Sequence, residues 1–205
     1  MAELFPMFLK LQGRRCVVVG AGRIAEQKLD SLLLAGASVR VIAPATSARI
    51  RQLAEGRQIE WIDREFAAAD LDGAYLVIAA TGDSTVNEDV FRAAEARGVL
   101  CNSVDEPDRC HFYYPAVVRR GDLQIAISTA GNSPALAQRI RKELEKQFAP
   151  EYAAWLAWLG RVRNLYFTRK VRVETRTAAL HGLARADVYQ RFAARHANAR
   201  RERHG

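Results

Sequence analysis

The chain has 205 residues, 49% hydrophobic and 26% charged, the balance of a globular protein and not of a disordered one. Its longest apolar runs, such as 74–80, fall far short of the ~20 residues a membrane span needs; its start lacks the basic and apolar regions of a secretion signal; and three cysteines, none in a Cys-x-x-Cys pair, exclude a disulfide scaffold and point to a reducing cytoplasm. The net charge of +8 is uneven: residues 1–115 hold 13 basic and 16 acidic side chains, residues 116–205 hold 18 and 7, so the basic half faces nucleic acid, a polyanionic small substrate or simply solvent.

Residues 15–20, Arg-Cys-Val-Val-Val-Gly, read as a strand buried on both faces. Ile24, Leu29, Leu32 and Leu33 then recur at helical spacing over 23–35, and Gly36 closes that helix. Residues 38–42 form a second strand ended by Pro44, 48–55 a short helix, and 58–62 an alternating strand. A buried strand over 74–80 precedes a helix over 84–97, which Gly98 stops before a strand over 99–104. Regular alternation of strand and helix demands parallel strands with right-handed crossovers, a Rossmann-like, doubly wound α/β sheet. Ligands in such sheets lie beyond the carboxyl ends of the strands, here Gly20, Ala43, Thr81 and Val104-Asp105.

The rhythm changes after residue 111. Residues 112–119 and 123–129 flank Gly121-Asp122 as an antiparallel hairpin, and Ser133-Pro134 opens a helix that runs to Phe148. Pro150 breaks it. Residues 151–166 read as an amphipathic helix with Trp155, Trp158, Leu159, Val162 and Leu165 on one side. More helix follows to Ala194, and 197–205, with Arg200, Arg201 and Arg203, reads as a frayed tail. Three regions result: an α/β domain over 1–113, a strand-helix segment over 114–148, and a helical domain with a basic tail over 149–205.

Gly20-Ala21-Gly22-Arg23-Ile24-Ala25 sits between the first strand and the first helix and fits Gly-x-Gly-x-x-Ala. The first glycine permits the tight turn, the second admits the pyrophosphate, and Ala25 keeps the helix close to the sheet. Free N–H groups and the positive helix end hold the phosphates. The acid that usually takes the ribose hydroxyls about 20 residues on is missing. Arg49 and Arg51 suggest a 2′-phosphate instead, so the residues alone leave NAD and NADP open.

Five segments together resemble the precorrin-2 dehydrogenase/sirohydrochlorin ferrochelatase family, the N-terminal module of siroheme synthase. They are 17–25 with Lys28; Ala79-Ala80-Thr81-Gly82-Asp83 with Val86-Asn87; Cys101-Asn102-Ser103-Val104-Asp105; Phe112 with Pro115-Ala116; and 127–137. The resemblance covers about residues 4–148. It implies oxidation of precorrin-2 to sirohydrochlorin with NAD+, Fe2+ insertion in some members, and a homodimer that exchanges the middle segment. Neither nucleic acid nor membrane is expected as a partner. The resemblance also implies NAD as the cofactor, since the family lacks the ribose acid, and nucleotide contacts at Gly20, Gly22, Arg23, Ile24, Ala43, Pro44, Ala45, Thr81, Asn102 and Val104. Ala21 stands where the middle glycine is usual.

The family's catalytic aspartate aligns with Asp105, which ends a strand at the ligand edge. NAD+ takes a hydride from the reduced tetrapyrrole, so a nearby carboxylate is a sensible proton acceptor. Ser128, Thr129 and Asn132 lie between a strand and a helix start, where hydroxyls and N–H groups suit the substrate's eight carboxylates; Thr129 aligns with a modifiable serine of some relatives. Arg119, Arg120 and Arg139 are candidates for pairing with the substrate's acidic arms, and His111 for proton transfer or iron contact. No metal-ligand spacing appears among the histidines. The competing reading is a dimeric NAD-sensing module without catalysis.

Overall fold

The computed structural model describes residues 3–201, with side chains described as far as residue 195. Two compact units divide the chain, Met1–Tyr113 and Tyr114–Gly205.

The first unit is built on β1 (Arg15–Val19), β2 (Ser38–Ile42), β3 (Glu60–Ile62), β4 (Leu76–Ala79) and β5 (Leu100–Ser103). They form a parallel sheet in the order β3-β2-β1-β4-β5. The connecting helices are α1 (Arg23–Leu34), α2 (Ala48–Glu55) and α3 (Ser84–Glu95). The apolar runs become central strands because helices cover both faces of a parallel sheet. Val17, Val18, Val41, Val77 and Ile78 are fully buried, and each such side chain stabilises the fold by roughly 1.5–3 kcal/mol. Val19 pairs with Ile42 on one side and Ala79 on the other, so three strands end level at the carboxyl edge.

Several boundaries differ from the sequence expectation by a residue or two, β4, α3, β5 and β7 being shorter than expected, and two differences have a visible cause. The third strand begins at Glu60 and not at 58, because Gln58 N still donates to Leu53 O (2.9 Å) to finish α2, with Arg57 turned to φ 55°. The first hairpin strand begins at Ala116 and not at 112. Residues 110–112 belong instead to the edge of β5: Asn102 bridges Cys110 antiparallel, His111 N donates to Cys101 O (2.8 Å), and Asn102 Nδ2 donates to Phe112 O (2.8 Å). Two short 3-10 turns, Ala68–Leu71 and Pro107–Arg109, are too brief to carry a periodic signal in the sequence.

The second unit contains the hairpin β6 (Ala116–Arg120) and β7 (Leu123–Ile127), then α4 (Pro134–Gln147), α5 (Glu151–Thr168), α6 (Val173–Leu183) and α7 (Ala186–Arg201). Both α4 and α5 pack on the hairpin, and α7 packs on α5. Phe148, Tyr152, Trp155 and Tyr189 form an aromatic cluster, with Trp155 buried. The expected apolar side of α5 holds in its first turns only: Leu165 is 47% exposed. The segment expected to fray from 197 continues as helix to Arg201, while Arg203 and His204 lie outside the described residues. Among the described residues no helix is long and apolar enough to cross a membrane.

Candidate active site

The carboxyl edge of the first unit brings together the residues singled out at the strand ends. Gly20 follows β1 at φ 104°, and an added Cβ there would lie 2.4 Å from Ala80 O and 2.8 Å from Ala80 C. The loops after β1 and β4 therefore touch through a position that only glycine fills. Gly22 is different. Its backbone is extended, and a Cβ there would meet nothing within 4 Å.

Gly22 is also the N-cap of α1 and provides no side-chain cap. In the other two helices of the unit, Ser47 accepts from Ile50 N (3.3 Å) and Asp83 from Thr85 N (2.8 Å). The first turn of α1 thus keeps N–H groups and a positive dipole end beside open space, which is what a pyrophosphate needs. Arg23 and Ile24 are exposed at that turn.

At the end of β2, Ala43 is buried and its carbonyl accepts from Trp61 Nε1 (3.0 Å), while Pro44 and Ala45 are exposed. Thr46 Oγ1 is buried there with no hydrogen-bond partner. No carboxylate occupies this position for a ribose. The two arginines that a 2′-phosphate would call on are engaged: Arg49 pairs with Asp30, and Arg51 lies over the Trp61 ring, 5.9 Å from its centroid. The uncapped helix, the close approach at Gly20 and the orphan hydroxyl of Thr46 fit a dinucleotide, and the engaged arginines favour NAD.

The loop after β4 is fixed by Asn87, which is buried on α3. Its Oδ1 accepts from Thr81 Oγ1 (2.7 Å) and Thr81 N (3.3 Å). Val104 N donates to Ala79 O (2.9 Å), carrying β5 up to Asp105. Asp105 is exposed and left-handed at φ 63°, a conformation that costs a non-glycine residue roughly 1–2 kcal/mol. Lys28 on α1 stands within electrostatic reach of it. Burial pulls the Lys28 ammonium below its ordinary value, opposed by negative charge at Asp105 and Cys110.

Asn102 is buried and holds the return of the chain at Phe112 and Cys110. His111 closes the same edge. Its Nδ1 accepts from Cys101 N (3.0 Å), so Nε2 carries the proton and faces Glu95 Oε1 at 3.5 Å. Burial pushes the Cys101 thiol up to about 12 and raises that of Cys110.

Ser128, Thr129 and Asn132 lie in the second unit, in the turn before α4, with Ala130 and Gly131 both left-handed. Ser128 Oγ accepts from Ala130 N (3.1 Å), Thr129 Oγ1 accepts from Ser133 N (3.2 Å), and Asn132 Nδ2 donates to Thr129 O (3.1 Å). Ser133 caps the helix through Leu136 N, as its position before Pro134 indicates. Arg120 is committed to the fold: it donates to Phe148 O (2.7 Å), Glu145 O (2.9 Å) and Arg119 O (2.8 Å), closing the end of α4. Arg139 pairs with Glu143 at 3.5 Å. The exposed Arg119 side chain makes no such bond among the described residues.

Sequence reasoning passed over Asn87, Thr46 and Glu106 as site residues. Asn87 had a signal, since a buried amide three residues into a helix after a strand-end loop is placed to hold that loop. Thr46 and Glu106 had none.

Fold and edge together define an NAD(P)-binding Rossmann protein. A family profile described as "Putative NAD(P)-binding" matches residues 7–116, and one described as "Sirohaem biosynthesis protein central" matches 120–147. A siroheme synthase of Actinobacillus pleuropneumoniae is 36% identical over 191 residues, and siroheme synthase 1 of Serratia proteamaculans is 43% identical over 143. Those alignments cover 93% and 70% of this chain, which spans only 39% and 30% of the length of these relatives. The solved structure of SirC, a precorrin-2 dehydrogenase, superposes with a TM-score of 0.79 at 26% identity, covering 94% of this chain and 98% of that one. The chain belongs to the precorrin-2 dehydrogenase and siroheme synthase family.

Proposed function

We propose that this protein oxidises precorrin-2 to sirohydrochlorin with NAD+. The observation that carries the reading is the likeness to SirC over nearly the whole of both chains, at an identity above that of mere fold likeness. The edge geometry supports it. NAD+, when bound, supplies the hydride acceptor. The first turn of α1 and the open space at Gly22 take its phosphates, and the loop at Ala43, Pro44 and Ala45 takes the adenosine side. Thr81, fastened by Asn87, and Val104 border the nicotinamide side.

The reaction removes two hydrogens from the tetrapyrrole, one as hydride and one as a proton. Asp105 is the base that takes the proton, from an exposed position beyond β5. Ser128, Thr129 and Asn132, at the start of α4, bind the substrate's carboxylates with Arg119. His111 is a contact at the edge of β5, and Arg120 fastens β6 to the carboxyl end of α4.

We assign residues 114–148 to a dimer arm and 149–205 to a helical domain. The two-stranded sheet β6-β7 leaves its outer edges unpaired among the described residues, which favours pairing with a second copy. Residence in the cytoplasm fits three free cysteines. Insertion of Fe2+ into sirohydrochlorin is a second activity to be tried on the same sample, with the metal as substrate.

The test is an anaerobic mixture of the protein, precorrin-2 and NAD+, followed by absorbance. NADH and sirohydrochlorin should rise together. Tight NAD+ binding without turnover would leave only the NAD-sensing reading.

A further inference from the structure

Asp105 sits in a left-handed turn at φ 63°, and the residue after it is tied to the elements on either side. Glu106 Oε2 accepts from Ser103 Oγ at 2.5 Å. Its Oε1 accepts from Ser84 Oγ at 2.6 Å and from Arg109 Nη1 at 2.8 Å. Arg109 Nη1 also donates to Ser84 Oγ (2.9 Å) and Ser84 O (3.2 Å), and its Nη2 to Glu88 Oε2 (2.7 Å). One carboxylate therefore joins the last residue of β5, the first residue of α3 and the turn Pro107–Arg109. Asp105 lies between these anchors. The hydrogen bonds lower the Glu106 carboxyl below its ordinary value, with Ser103 the main cause and Ser84 next.

Aspartate is among the few non-glycine residues that take the left-handed region, and what sets this turn apart is the network built on the residue after it. Here an exposed aspartate takes that conformation, and charged groups at a half-exposed rim are arranged around it.

We propose that Glu106 is a positioning residue for the oxidation: through Ser84, Ser103 and Arg109 it fixes the backbone turn that presents the Asp105 carboxylate at the carboxyl edge of the sheet. This rests on the reading of Asp105 as the base. Displacement of a reacting group by about 1 Å is enough to lose roughly 100-fold in rate. Glu106 itself touches no reacting atom.

The test uses the full chain with Glu106→Ala, Glu106→Gln, Asp105→Asn and the double variant Asp105→Asn/Glu106→Ala. Both Glu106 variants should lose roughly 10- to 100-fold in kcat, with KM for precorrin-2 and Kd for NAD+ within about twofold of the parent. Adding Glu106→Ala to Asp105→Asn should cost less than about twofold more, because both act through one group. A purely structural role would instead multiply the losses and move KM and Kd as well. Should Glu106→Ala fail to fold, Glu106→Gln, which keeps the shape, decides. Parent kcat in the folded Glu106 variants, or multiplicative losses in the double, overturns the proposal. Asp105→Asn at the parent rate removes the base and the clamp together, whereas an inactive Asp105→Asn beside a fully active Glu106→Ala removes the clamp alone.

Discussion

Two glycines of one motif should respond to alanine in opposite ways. At Gly20 the added Cβ would fall 2.4 Å from Ala80 O on a backbone at φ 104°. The left-handed region costs roughly 1–2 kcal/mol, and forcing β1 from β4 adds about 1–3 kcal/mol of overpacking. Gly20→Ala should therefore lose about 2–5 kcal/mol in a unit of 113 residues. At ~4 °C per kcal/mol, the melting midpoint falls by about 10 °C or more. At Gly22 the Cβ meets only open space on an extended backbone, so Gly22→Ala costs no more than about 1 kcal/mol of capping. On the proposed reading that space takes the pyrophosphate, so losing one or more charge-assisted bonds, at roughly 1.5–3 kcal/mol each, should weaken NAD+ about 10- to 100-fold. Thermal melts by circular dichroism and NAD+ titration by calorimetry measure both. A Gly20→Ala protein that melts like the parent, or a Gly22→Ala protein that binds NAD+ like the parent, refutes the reasoning.

Asp70 is 4% exposed and accepts from Arg64 Nη1 (2.8 Å), Arg64 Nη2 (2.5 Å) and Ala67 N (2.9 Å). Asp70→Ala should cost about 1 kcal/mol by removing charge-assisted bonds to the half-exposed Arg64 and to Ala67 N. The Arg64 guanidinium holds the Asp70 carboxyl below its ordinary value, so its contribution is complete above about pH 4 and fades as pH falls through the lowered value. The gap in melting midpoint between parent and variant should narrow below about pH 4, and a gap independent of pH would contradict the assignment. Burial pushes the Cys16 thiol up to about 11 and Cys101 up to about 12. Iodoacetamide at about pH 8 should leave both unmodified in the folded protein and label all three cysteines after denaturation, as mass spectrometry will read; prompt labelling of Cys101 in the native state would contradict this.

The sheet was legible because its signals are local. Val17-Val18-Val19 stops at Gly20, Pro44 ends the second strand, and Ser133-Pro134 opens α4, each within a few residues of the element it marks. The candidate site was legible in part for the same reason: Gly20, Thr81 and Asp105 lie just beyond the carboxyl ends of β1, β4 and β5, and Gly22 opens α1. What the sequence hides is long-range. Glu106 meets Ser84 across 22 positions, and Arg120 reaches Phe148 across 28. His111 and Phe112 look like the approach to a hairpin, yet they close the edge of β5 because Asn102 and Cys101 offer unmet groups there. No periodicity encodes such pairings, nor the left-handed turn at Asp105.

Asp105 is the residue on which the proposed oxidation most directly depends. Parent and Asp105→Asn proteins, matched for NAD+ affinity, should be given precorrin-2 and NAD+ without oxygen. The parent should form one NADH for each sirohydrochlorin, and the variant, with NAD+ affinity unchanged, should lose roughly 100-fold or more in kcat. Equal rates in the two proteins, or sirohydrochlorin formed by the parent without NADH, would contradict the account.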